Sequence, residues 1–177
     1  ETYKKSLAEA MEELGFETGI SSRSSGDNFV SDCTIETDQL ALIPDSYIDM
    51  TAEKIRIYKE LDSLTSEKDL INMKNRLTDR FGKMPVELER LFDIVRIRQL
   101  GQKLGFEKII IKNGVMIAFF ITNPLSQYYR SDRFSKVLEN VNLNPKLFEI
   151  KQPDGRLRIM VRNVDGISKA YDILKKL

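Results

Sequence analysis

Residues 106–121 run FEKIIIKNGVMIAFFI, and this stretch decides the fold. Upstream of it apolar residues recur at helical spacing; within it they follow the two-residue period of a strand. Asn113-Gly114 is a strong hairpin signal, because both residues tolerate positive φ. The pattern predicts strands over 106–112 and 115–121. The second is apolar at every position, so both its faces are expected to be covered. A second hairpin is expected over Leu147–Lys151 and Arg156–Arg162, around Pro153-Asp154-Gly155. A helical pattern follows each hairpin: Phe134, Val137, Leu138 and Val141 in the first case, Ile167, Ala170, Tyr171 and Leu174 in the second.

Three well-punctuated helices precede the first hairpin. Asp49 or Thr51 can cap one whose apolar face is Ile55, Tyr58, Leu61 and Leu64. Ser66 with Asp69 resembles a capping box, opening a helix through Leu70, Met73, Leu77 and Phe81 with Gly82 placed for a left-handed cap. Pro85 suits the first turn of a third helix carrying Leu88, Leu91, Phe92, Val95 and Leu104, which ends at Gly105. The expected class is α+β: a helical layer packed on a small antiparallel sheet of two hairpins, preceded by a helix and a linker.

That preceding helix lies in residues 3–14, where Leu7, Met11 and Leu14 form an apolar stripe closed by Gly15. Residues 17–34 are rich in Ser, Gly, Asp and Asn and read as a flexible linker or exposed loop. Cys33 sits there without a basic neighbour to activate its thiol. Ile35, Thr37 and Gln39 alternate with charged residues, as in a short edge strand leading towards Pro44.

The chain has 177 residues, 41% of them hydrophobic and 31% charged, which suits one packed domain plus an appendage. It has no histidine, which excludes Ser-His-Asp triads, Cys-His dyads and His-ligated zinc. Its single cysteine excludes an internal disulfide framework. The longest wholly apolar run, Val115–Ile121, is far short of the roughly twenty residues of a spanning helix. A soluble, cytoplasmic protein without a membrane partner is expected. Glycines are scattered, and no phosphate-cradling GxxxxGK[ST] or GxGxxG occurs. Paired carboxylates such as Glu9 with Glu13 and Glu89 with Asp93 read as solvating groups. Arg96, Arg98 and Lys103 could meet phosphates or acidic partners, although flanking the apolar stripe is the preferred reading. No catalytic, cofactor-binding or metal-ligating residue emerges.

The net charge of +1 hides a split: residues 1–50 carry 3 basic and 11 acidic side chains, and residues 51–177 carry 25 and 16. A basic domain can touch nucleic acid, so a nucleic-acid-binding module is the alternative reading.

Two stretches are more distinctive. Ile43-Pro44-Asp45-Ser46-Tyr47-Ile48 leads into Ile55-Arg56-Ile57-Tyr58-Lys59, and Leu77-Thr78-Asp79-Arg80-Phe81-Gly82-Lys83-Met84-Pro85 continues to Lys103-Leu104-Gly105. Their order and spacing resemble the carboxy-terminal domain of the bacterial transcription-repair coupling factor family, Mfd, well over residues 40–122 and weakly beyond. The resemblance implies that residues 1–15 are the last helix of a translocase module, 16–43 a linker with a short strand, and 44–177 the terminal domain. It implies a parent protein that translocates on double-stranded DNA using ATP and Mg, displaces stalled RNA polymerase and recruits UvrA. None of the family's ATPase motifs lies in this chain. The terminal domain would be a non-catalytic, autoinhibitory clamp on the amino-terminal repair-homology module, masking the UvrA-recruiting surface. Interface candidates are Arg76, Asp79 and Arg80, against a structural reading in which Phe81 is core, Gly82 a cap and the charges local ion pairs. Arg76 departs from the family, where an acidic residue is common, which puts any salt bridge through that position in doubt.

Overall fold

The computed structural model describes residues 29–177; the predicted helix over 3–14 and most of the linker lie outside the described residues. Strand β1 (Thr34–Thr37) is followed by helices α1 (Thr51–Ser63), α2 (Glu67–Phe81) and α3 (Val86–Leu104). Strands β2 (Phe106–Lys112) and β3 (Val115–Phe120), helix α4 (Asp132–Leu143), strands β4 (Glu149–Lys151) and β5 (Arg158–Arg162) and helix α5 (Gly166–Leu174) complete the order. The class is α+β, as expected.

The sheet has five strands in the order β1-β2-β3-β5-β4. Both predicted hairpins are present, and Asn113 (φ 53°) with Gly114 (φ 72°) makes the first turn. The sheet is mixed rather than antiparallel, because β1 lies parallel to β2 with Ile35 opposite Ile109. A parallel partner must arrive by a crossover. Here that crossover contains α1, α2 and α3, so the edge strand and the helical layer are one connection.

The second strand of the hairpin is fully covered on one face and partly covered on the other. Met116, Ala118 and Phe120 are buried, while Val115, Ile117 and Phe119 are half-buried on the other side. The helices pack together on the first side through α3, whose buried residues (Leu88, Leu91, Phe92, Ile94, Val95, Ile97, Gly101 and Leu104) go well beyond a single stripe.

Local caps largely follow the sequence. Ser66 accepts the Asp69 amide at 3.2 Å and its hydroxyl donates to the Asp69 carboxylate at 2.6 Å. Helix α1 differs: its N-cap position is Met50, which offers no side-chain acceptor. Gly82 ends α2 at φ 87°, ψ −164°, outside the left-handed helical region.

Two glycines at α3 let other elements approach. At Gly101 a Cβ would sit 2.8 Å from Cys33 Sγ, so the helix accepts glycine's cost of about 1 kcal/mol to bring the pre-β1 segment onto its backbone. That segment is therefore packed: Val30 and Cys33 are buried, Arg98 holds Asp32 at 3.1 Å, and Gln102 donates to the Ser31 carbonyl at 3.1 Å. Gly105 takes the left-handed conformation (φ 93°, ψ 26°), and a Cβ there would lie 2.2 Å from the Tyr128 ring. Tyr128 is fully buried and donates to the Leu104 carbonyl at 2.5 Å. Phe29, Phe120, Tyr129 and Phe134 surround it with ring centroids 5.3–6.2 Å away.

This packing has two measurable consequences. Gly105→Ala adds a collision with Tyr128 to the φ penalty, whereas Gly114→Ala has a comparable positive φ with nothing nearby. Chemical denaturation should show Gly105→Ala costing about 1–3 kcal/mol more, the overpacking increment alone. Burial pushes the Cys33 thiol far above its ordinary value, so labelling by a thiol reagent should be over about 10³-fold slower than in denaturant, the ratio set by ~5 kcal/mol of stability.

Candidate functional site

With Leu70, Met73 and Leu77 turned into the core, α2 presents Arg76, Asp79 and Arg80 to solvent. Helix α1 buries Ile55, Ile57, Tyr58 and Leu61 and sets Glu53, Arg56 and Glu60 beside them. Arg80 reaches Glu53 at 2.7 Å and Arg76 is bonded to Glu60. Arg56 joins both acids, at 2.6 Å to Glu53 and 3.7 Å to Glu60. The result is a ladder of alternating charge across the two helices. The Arg56 hydrogen bond, with the charges of Arg56 and Arg80, holds the Glu53 carboxyl below the usual range.

Of the three residues proposed from sequence, the structure brings Arg76 and Arg80 into one cluster. Asp79 lies exposed beside it and forms no ion pair among the described residues. Arg76, the departure from the family pattern, has a partner within its own domain. Glu53, Arg56 and Glu60 were missed by sequence reasoning. Their i, i+3, i+7 spacing on the polar face of a helix was the available signal.

The family-like stretches support this face from below. Pro44 accepts the amides of Tyr47 and Ile48 at 3.0 and 3.1 Å, which makes a turn. The Tyr47 hydroxyl lies 3.1 Å from the Leu77 carbonyl and 2.9 Å from that of Gly82, and its ring packs on Phe81 with centroids 5.8 Å apart. Tyr58, whose phenol is pushed up by burial, accepts the Ile43 amide at 2.9 Å. The two stretches thus form one construction, in which a tyrosine from the turn fastens the carboxyl end of α2. Phe81 and Gly82 belong to that scaffold. Arg80 lies over the Phe81 ring at 4.8 Å with its side chain 60% exposed.

Three arginines face three carboxylates (Glu53, Glu60 and Asp79), so the patch has no net charge. Exposed pairs of this kind contribute about 0–1 kcal/mol each to stability. Spare guanidinium donors and a free carboxylate suit another patterned protein surface more than a uniform polyanion. Among the described residues no charged side chain is fully buried, and no group of three His, Cys, Asp or Glu is placed to hold a metal. No described helix is long and apolar enough to cross a membrane.

Comparison with known proteins fits this geometry. A family model described as the TRCF domain matches residues 37–131, more than half the chain and inclusive of both tyrosine contacts and the ladder. The chain is similar to the transcription-repair-coupling factor of Staphylococcus epidermidis (33% identity over 162 residues, 91% of this chain) and that of Rickettsia conorii (32% over 133 residues, 75% of this chain). It spans only 12% and 11% of those relatives' lengths. In structure it resembles a crystallised C-terminal domain of transcription-repair coupling factor, with a TM-score of 0.67 and 17% identity, covering 82% of this chain and 88% of that one. The chain belongs to the transcription-repair coupling factor family and carries the fold of its carboxy-terminal domain.

Proposed function

We propose that this domain is a regulatory clamp. It acts within a longer ATP-driven DNA translocase that couples transcription to nucleotide excision repair. There it packs on the amino-terminal repair-homology module and masks the surface that recruits UvrA. The observation that carries this reading is the α1–α2 face: charged groups with no net charge, fixed on a tyrosine-fastened scaffold, with Asp79 and the outer guanidinium donors available to a partner. A tether raises the effective concentration of such a face, so individually weak contacts can hold a closed state that remains releasable. ATP and Mg belong, on this reading, to segments of the parent outside this chain. RNA polymerase and double-stranded DNA are likewise the parent's partners.

The test is a calorimetric titration of UvrA into the parent protein, intact and ended after Asn28, because Val30 to Ile43 belongs to the packed unit. Tighter binding by the shortened form is expected, and the ratio of affinities gives the coupling free energy. Equal or weaker binding overturns the clamp.

In the intact parent, Asp79→Arg with Arg80→Glu should shift UvrA affinity towards that of the shortened form. Its melting temperature should change little, because both side chains are exposed. Glu53→Gln should lower stability by no more than about 1 kcal/mol at neutral pH. A lowered folded-state pKa contributes stability above the ordinary glutamate range and loses it as pH falls through the lowered value. The difference between Glu53→Gln and the unaltered protein should therefore fade in acid; denaturation curves at neutral pH and in acid below the ordinary glutamate range, near pH ~3, check it.

A further inference from the structure

The helices cover one side of the sheet, and the other side carries a distinct surface. Cross-strand register places Ile110, Ile117 and Met160 in one row, with Val115 and Phe119 beside it on β3. All five are partly exposed. Around this strip stand Lys108, Lys112, Lys151, Arg156, Arg158 and Arg162, against Glu36 and Glu149. Glu36 is engaged by Lys108 at 2.8 Å and Lys112 at 3.7 Å. Glu149 is engaged by Lys151 at 3.3 Å and Arg162 at 3.1 Å.

Among the described residues, Arg156 and Arg158 have no carboxylate within ion-pair distance. Both guanidinium groups lie on the Phe119 ring, at 4.7 and 5.8 Å from its centroid. The Arg158 Nε is the one buried side-chain polar atom among the described residues without a hydrogen-bond partner. Native structures leave few such groups, and each calls for an explanation. Two like charges held on one ring, neither paired with a carboxylate among the described residues, are complementary to an incoming carboxylate at their outer guanidinium nitrogens.

We propose that this outer sheet face docks an acidic, amphipathic protein segment. Its apolar side chains would lie along Ile110, Ile117 and Met160, and its carboxylates would meet Arg156 and Arg158. The surface favours a protein over a nucleic acid. The strip is aliphatic, Phe119 already has its ring against two guanidinium groups, and Glu36 and Glu149 interrupt the line of cations that a phosphate backbone would follow. The face is separate from the α1–α2 ladder, so loss of contact at one leaves the other intact.

The test titrates the full 177-residue chain, by fluorescence anisotropy, with a labelled peptide of about four helical turns, leucines at helical spacing and glutamates elsewhere. Arms with polyglutamate of equal length and a short DNA duplex run alongside. Saturable peptide binding is expected, weakened tenfold or more by Arg156→Gln with Arg158→Gln and also by Ile117→Ser with Met160→Ser, and unchanged by Arg80→Glu. Far-UV dichroism and melting of each variant separate lost binding from lost fold. Absence of peptide binding, peptide binding indifferent to both double variants, or polyglutamate binding as tightly would overturn the proposal. So would DNA binding that disappears in the Arg156 and Arg158 variant while the peptide fails to bind.

Discussion

Helix α3 must be buried on most of its circumference, and the rest of the domain is arranged to allow it. A helix with one apolar stripe needs one neighbour; this one meets α1, α4, α5 and two strands. Its own backbone limits how close they come. Gly101 admits Cys33 and so lets the chain before β1 reach the sheet edge, while Gly105 turns the backbone at the point where Tyr128 closes over it. The mixed sheet follows from the same constraint, since a parallel first strand requires a crossover and the three helices are its contents.

Local signals were legible in the sequence and distant pairings were not. The Asn113-Gly114 turn, the Ser66 cap and the Gly105 terminus are each written within a few residues, and each forms as read. Strand β1 was legible as a strand, but its parallel pairing with residues far down the chain has no local mark. Full apolarity over 115–121 suggested two covered faces, whereas guanidinium groups from beyond β4 provide part of the outer cover. At the candidate site, Arg76 and Arg80 were identified from a motif. Their partners Glu53 and Glu60 sit on a different helix, and only the approach of α1 to α2 reveals them.

The two surfaces divide the domain's charge in an instructive way. The α1–α2 patch, the ladder together with Asp79, balances three arginines with three carboxylates, so a contact made there would depend on register and little on overall field. The outer sheet face keeps a surplus of cations over an aliphatic strip, so a contact made there would combine field with apolar burial. A basic sequence average therefore describes neither surface. The tyrosines of the family-like stretches serve the first by fixing its backbone.

The way the chain enters the domain also has a mechanical consequence. Tension arriving from the amino-terminal side meets the packed segment before β1, held by the Asp32–Arg98 ion pair and Cys33 against Gly101, and then β1 with its parallel rungs to β2. A pull directed along the strand loads these rungs together in shear, whereas a pull across it would peel them singly. The edge strand therefore acts as a direction-sensitive anchor. A change in the angle of pull, at unchanged strength, would change whether the domain's first strand holds.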